Sequence, residues 1–139
     1  MKIEYPYTVE QQEDGSSLVQ FVDFEEAFTE GYTPEEVVFN AAEVLTGIIS
    51  HRLAKGHEIP APSVIEKAAY IAPGAAIQSA LLLHLARQEQ NKTVADMARA
   101  LGTSWPAAAR LEDPKHWPTL RQLDRAAAVL GKRLVISFA

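Results

Sequence analysis

The sequence predicts an α+β fold: a small antiparallel sheet with one long helix, then an all-helical half that ends in a short strand. Three observations carry this expectation. Apolar and polar residues alternate from Lys2 to Val9, the period of a half-buried strand. One broad apolar stripe then recurs at helical spacing from Val37 to Leu53. From Ile77 to Gly131 the pattern is helical, and alternation returns only in Lys132 to Phe138.

In the first strand Ile3, Tyr5, Tyr7 and Val9 share a face. Pro6 cannot donate to a ladder, so a free edge or a local irregularity is expected there. Asp14-Gly15 signals a turn, and Leu18–Val22 reads as the second strand. Asp23-Phe24-Glu25-Glu26 is a polar break before a short third strand, Ala27–Glu30, which ends at Gly31. Thr33-Pro34-Glu35-Glu36 is the clearest helix start in the chain. Thr33 caps, Pro34 takes the first helical position and Glu36 completes a capping box. Gly56 ends this helix. The prolines of Ile59-Pro60-Ala61-Pro62-Ser63 enforce extended backbone, and Lys67–Ile71 returns as a fourth strand. Ala72-Pro73-Gly74 marks a boundary, giving domains 1–72 and 73–139.

The second half is organised around Thr93–Glu112. Val94, Met97, Ala98 and Leu101 form a stripe on a first short helix, Gly102 stops it, and Ser104 with Pro106 starts a second. That spacing fits a helix-turn-helix, whose second helix enters the DNA major groove; an ordinary helical hairpin is the competing reading. On it Thr103, Ser104, Trp105, Ala107 and Arg110 are expected to face the groove, with Lys92, Thr93 and Lys115 on phosphate. Thr119-Leu-Arg-Gln122 is a second capping box, opening a helix that carries Leu120, Leu123, Ala126, Ala127 and Leu130 inward. The closing strand, with Leu134, Ile136 and Phe138 on one face, has no neighbour in the helical half. It is expected to pair with the same strand of a second chain, giving a homodimer or a higher even-numbered assembly.

Charge divides the chain. Residues 1–66 hold 13 acids against 3 bases, a net of −10, whereas residues 67–139 hold 10 bases against 5 acids. The basic half suits nucleic acid and the acidic half a basic partner. There is no cysteine, which rules out disulfides and thiolate metal sites and suits a reducing cytoplasm. The first residues lack the apolar core of a secretory leader, and no apolar run is long enough to cross a bilayer. Asp23, Glu25, Glu26 and Glu43 are the only carboxylates for a two-metal site, and His51, His57, His84 and His116 have no ligand spacing. No phosphate loop or nucleophile motif is present, so neither enzyme activity, a metal nor a cofactor is expected.

Two resemblances sharpen this. DMARALG…ARLED…PTLRQLDRAAAVLG, within Ile77–Gly131, resembles the Xre/Cro-like helix-turn-helix family; Val94 stands where that family often has Gln, and Ala107–Ala109 replace larger residues. The stretch from Leu18 to Ser63, ending in Ile-Pro-Ala-Pro-Ser, is similar to the HicB antitoxin family, although Phe24-Glu25-Glu26 replaces a Leu-Pro-Gly-like turn. That resemblance implies a trimmed ribonuclease H-like fold for the first half. It also implies neutralisation of a small basic HicA-like toxin that cleaves messenger RNA, and repression of the operon through operator DNA. Asp23, Glu25 and Glu26 are then the expected toxin-facing acids. A stand-alone transcriptional regulator with a ligand- or protein-sensing first half is the alternative.

Overall fold

The computed structural model describes residues 1–139. In chain order the elements are β1 (Tyr5–Gln11), β2 (Ser17–Phe21), β3 (Phe28–Gly31), α1 (Pro34–Lys55), β4 (Ala69–Ile71), α2 (Ala75–Glu89), α3 (Val94–Leu101), α4 (Trp105–Arg110) and α5 (Leu120–Val129). The chain divides into two units, Met1–Gln78 and Ser79–Ala139, with the division inside α2.

In the first unit the four strands form one antiparallel sheet of order β3-β2-β1-β4. Tyr7 lies opposite Phe21, Val9 opposite Val19, and Tyr5 opposite Ile71. Tyr5, Tyr7, Val19 and Phe21 on one face are buried with Val37, Ala41, Leu45 and Ile49 of α1. These α1 positions recur every fourth residue, so they line one side of the helix. Gly31 is needed where the start of α1 approaches β3. A Cβ there would meet the Val37 nitrogen at 2.8 Å and the Glu36 carbonyl carbon at 3.0 Å.

Pro6 lies in a central strand, opposite Tyr70 of β4. Its carbonyl accepts from the Val22 N–H at 3.0 Å, just past the end of β2. In an antiparallel strand one residue's N–H and C=O point to the same neighbour, so the missing donor falls where the β1–β2 ladder stops. The irregularity expected from the sequence is therefore a shortened ladder, not a free edge.

Thr33 caps α1 through the Glu36 N–H, at 3.1 Å. The Glu36 carboxylate does not close the expected box on Thr33; it accepts from the Tyr32 N–H at 2.7 Å, one residue earlier. It still satisfies a backbone donor beside the positive end of the helix.

The second unit has its own core of Leu83, Ala86, Met97, Ala98, Ala108, Leu111, Ala126 and Leu130. Half of these residues are alanines, which lets the short helices approach closely. Gly102 ends α3 in the left-handed region, at φ 65°. Leu120 is a correction: it is 63% exposed, and Val129 packs against the core in addition to Leu123. Residues 132–139 form no strand within the single chain, which offers them no neighbouring strand to complete a ladder. Their Val135, Ile136 and Phe138 are exposed, and Leu134 is half-buried.

Candidate functional site

In the acidic unit the turn 23–27 is tied to two distant segments. The Ser63 N–H donates to Asp23 Oδ2 at 2.9 Å, and the Ser63 hydroxyl donates to Asp23 Oδ1. Arg52, in the last turn of α1, donates through Nε and Nη2 to Glu26 Oε1 at 3.1 and 2.5 Å, and through Nη1 to the Glu58 carbonyl at 2.8 Å. Its guanidinium also lies 4.9 Å from the Phe24 ring centre. That hydrogen bond from Arg52 is the main reason the Glu26 carboxyl is held below its usual range. Phe24 is fully buried and packs on Tyr5 at 5.0 Å. The Tyr5 hydroxyl donates to the Pro60 carbonyl at 2.7 Å; burial first, then the Asp23 charge, pushes its pKa up, so it remains a donor.

This arrangement divides the three acids. Asp23 and Glu26 hold the extended Ile-Pro-Ala-Pro-Ser segment and the end of α1 in place. Glu25 is exposed, and its side chain has no partner. The sequence offered no sign of this, since the partners lie 26 and 40 residues away. The buried Phe24 was likewise missed, because it sits inside a run of acids.

In the basic unit, α3 and α4 are joined by the tight turn Gly102-Thr103-Ser104. Ser104 caps α4 by accepting the Ala107 N–H at 3.3 Å. Thr103, Ser104, Trp105 and Arg110 are exposed, Trp105 by 57%, so the indole is not packed into the core. Arg110 makes no ion pair; its Nε reaches only the Pro106 carbonyl, at 3.4 Å. Ala107 is half-buried and Lys115 is exposed. Two expected phosphate contacts are engaged elsewhere. Thr93 caps α3 in a reciprocal box with Asp96, and the Lys92 ammonium donates to the Val129 carbonyl at 3.3 Å. The Thr-Val-Ala-Asp spacing carried that capping signal in the sequence.

Glu112, just after α4, ties this helix pair to α2. Its carboxylate accepts from Arg87 Nε and Nη2 at 2.8 and 2.9 Å, and faces His84 Nδ1 at 3.0 Å. Burial raises the Glu112 pKa, but the hydrogen bonds and charges of His84 and Arg87 outweigh it and hold the carboxyl below its usual range. Arg87 also donates to the Lys92 carbonyl at 2.9 Å, so one guanidinium joins α2, the entry to α3 and the exit of α4. No group of three or more His, Asp or Glu side chains is placed to hold a metal ion. No helix is long and apolar enough to cross a membrane.

Opposite charge separates the units: residues 1–78 carry 13 acids against 4 bases, and residues 79–139 carry 9 bases against 5 acids. This is the make-up of a small α+β protein with one acidic and one basic unit. Comparison with known proteins makes the class specific. Residues 4–73 match the family model described as HicB-like antitoxin of bacterial toxin–antitoxin systems. Antitoxin HicB 2 of Photorhabdus laumondii is 32% identical over 130 residues, covering 94% of this chain and 92% of the relative. Antitoxin HicB 1 of the same organism is 26% identical over 133 residues, covering 96% and 85%. Antitoxin HicB of Escherichia coli K12 is 29% identical over 131 residues, covering 94% and 95%. The chain belongs to the HicB-like antitoxin family, and membership implies a toxin as partner.

Proposed function

We propose that this protein binds and neutralises a small, basic, HicA-like RNA-cleaving toxin through its acidic unit, and represses its own operon through its helical unit. The observation that carries the reading is the likeness to HicB antitoxins along nearly the whole chain, not in one unit alone. Electrostatics supports the first half of the proposal. A ribonuclease face built to hold phosphates is basic, and an acidic surface with no cation between Ile3 and His51 complements it. The sheet with one long helix suits a trimmed ribonuclease H-like fold, here acting as a protein-binding scaffold.

The α3–α4 pair supports the second half. We read it as a helix-turn-helix of the Xre/Cro-like kind, with α4 in the major groove. Trp105 presses on a thymine methyl or a sugar, and Arg110 reaches guanine or phosphate. The exposed segment Lys132–Phe138 supports dimerisation: on the face it shares with Leu134, Ile136 is 62% and Phe138 fully exposed. Pairing with the same segment of a second copy satisfies its backbone and covers these side chains. It also presents two α4 helices to half-sites about one DNA turn apart. The chain then has no catalytic role of its own and acts in the cytoplasm. Co-expression with a HicA-like toxin, sought as a small basic reading frame beside the gene, tests this. The two products are expected to co-purify and to retard DNA from their own promoter; separation of the two on a column contradicts the proposal.

A further inference from the structure

Resting on that antitoxin reading, we infer that the toxin seats an apolar side chain flanked by lysine or arginine in the groove between β1 and the start of α1. This groove, of about 340 Å³, is lined by Val9, Ser17, Tyr32, Pro34, Val37 and Val38 among others. It exists because α1 begins beside Gly31 of β3, and so leaves the far end of β1 uncovered. Val9 shows the consequence. It stands opposite the fully buried Val19, on the core face of the sheet, yet is 47% exposed. Tyr32 and Val38 beside it are 61% and 51% exposed. Apolar side chains gathered in one open groove mark a protein contact rather than ordinary surface.

Charge identifies the occupant. Every residue that lines the groove falls in the run Ile3–His51, which holds 11 acids and no lysine or arginine. Asp14 and Glu35 of that run are exposed and stand directly beside the lining residues Gly15 and Pro34. The helix start is poorly suited to an anion, because Glu35 and Glu36 stand in its first turn. Its Glu36 N–H is taken by the Thr33 hydroxyl, and the preceding Tyr32 N–H by the Glu36 carboxylate. Nor does the open shape suit a small ligand, which needs enclosure on most sides. An apolar anchor with cationic flanks meets both the groove and its surroundings, and it is the surface a basic ribonuclease presents.

The test uses the full chain and, as probe, a purified, catalytically inactive form of the proposed HicA-like toxin. Val38→Arg is compared with Val64→Arg, the same change at a 93% exposed valine outside the groove. By titration calorimetry Val38→Arg is expected to weaken binding at least ten-fold, with Val64→Arg like the parent. Parent-like binding by Val38→Arg overturns the groove while leaving the antitoxin reading intact. No binding by the parent overturns the antitoxin reading itself. Unchanged toxin binding with a changed sedimentation coefficient for Val38→Arg assigns the groove to self-association and overturns the inference. Should Val38→Arg lose its circular dichroism signal, Val9→Asn, at a half-exposed position, takes its place with the same expectations.

Discussion

Replacing Glu112 by glutamine removes one negative charge from a nearly buried cluster and changes almost nothing in shape. The side chains of His84, Arg87 and Glu112 are 15%, 16% and 14% exposed, so water cannot substitute for the lost carboxylate. Two charge-assisted bonds from Arg87 are weakened, and the guanidinium is left without its counter-charge. Breaking a buried pair from one side costs about 3–5 kcal/mol, and the amide oxygen retains part of the bonding, so a loss of about 2–4 kcal/mol is expected. In a unit of this size each kcal/mol moves the melting point by about 4–8 °C. The effect also depends on pH. The folded pKa of Glu112 lies below its unfolded value, so the carboxylate's stabilisation is complete above about pH 4.3 and fades as pH falls through the folded pKa. Melts of parent and Glu112→Gln at pH 7 should therefore differ widely, and the difference should shrink on acidification toward pH 3. Equal melting points at pH 7, or a gap that does not depend on pH, refute this account of the cluster.

Other expectations follow from single residues. Arg110→Ala should weaken operator binding by about 1–3 kcal/mol in a salt-controlled mobility assay, with the melting point unchanged, because Arg110 has no ion pair to lose. Gly31→Ala places a Cβ 2.8 Å from the Val37 nitrogen and should lower stability by about 1–3 kcal/mol, read from the urea midpoint. Removing residues 132–139 should yield a species that sediments as a smaller assembly and binds a palindrome without cooperativity; cooperative binding by the truncated chain argues against this segment as the dimer element.

What was legible in the sequence was local. Thr33, Gly56, Ser104, Gly102 and the Thr119–Gln122 box each act within four residues, and each stands where the pattern placed it. The four strands were legible for the same reason, because alternation and turn residues are short-range signals. The fates of Asp23 and Glu26 were not, since an acid that holds Ser63 or Arg52 looks in sequence like any solvated acid. Leu120 failed differently: its position fits the apolar stripe, but it lies in the first turn of α5, beyond the reach of the core that Ala126 and Leu130 fill. The last strand is of another kind, because a strand is a property of two segments and its expected partner is a second copy of the chain. The groove beside Val9 was hidden because it arises from where α1 starts over the sheet, not from any residue's own preference.

An RNA-cleavage titration tests the central claim most directly. The active form of the proposed HicA-like toxin is incubated with messenger RNA, and this protein is added in steps. The account predicts that cleavage falls linearly and stops at a fixed stoichiometric ratio, with the full chain and its Arg110→Ala variant equally protective. Cleavage that continues at full rate with this protein in excess contradicts it.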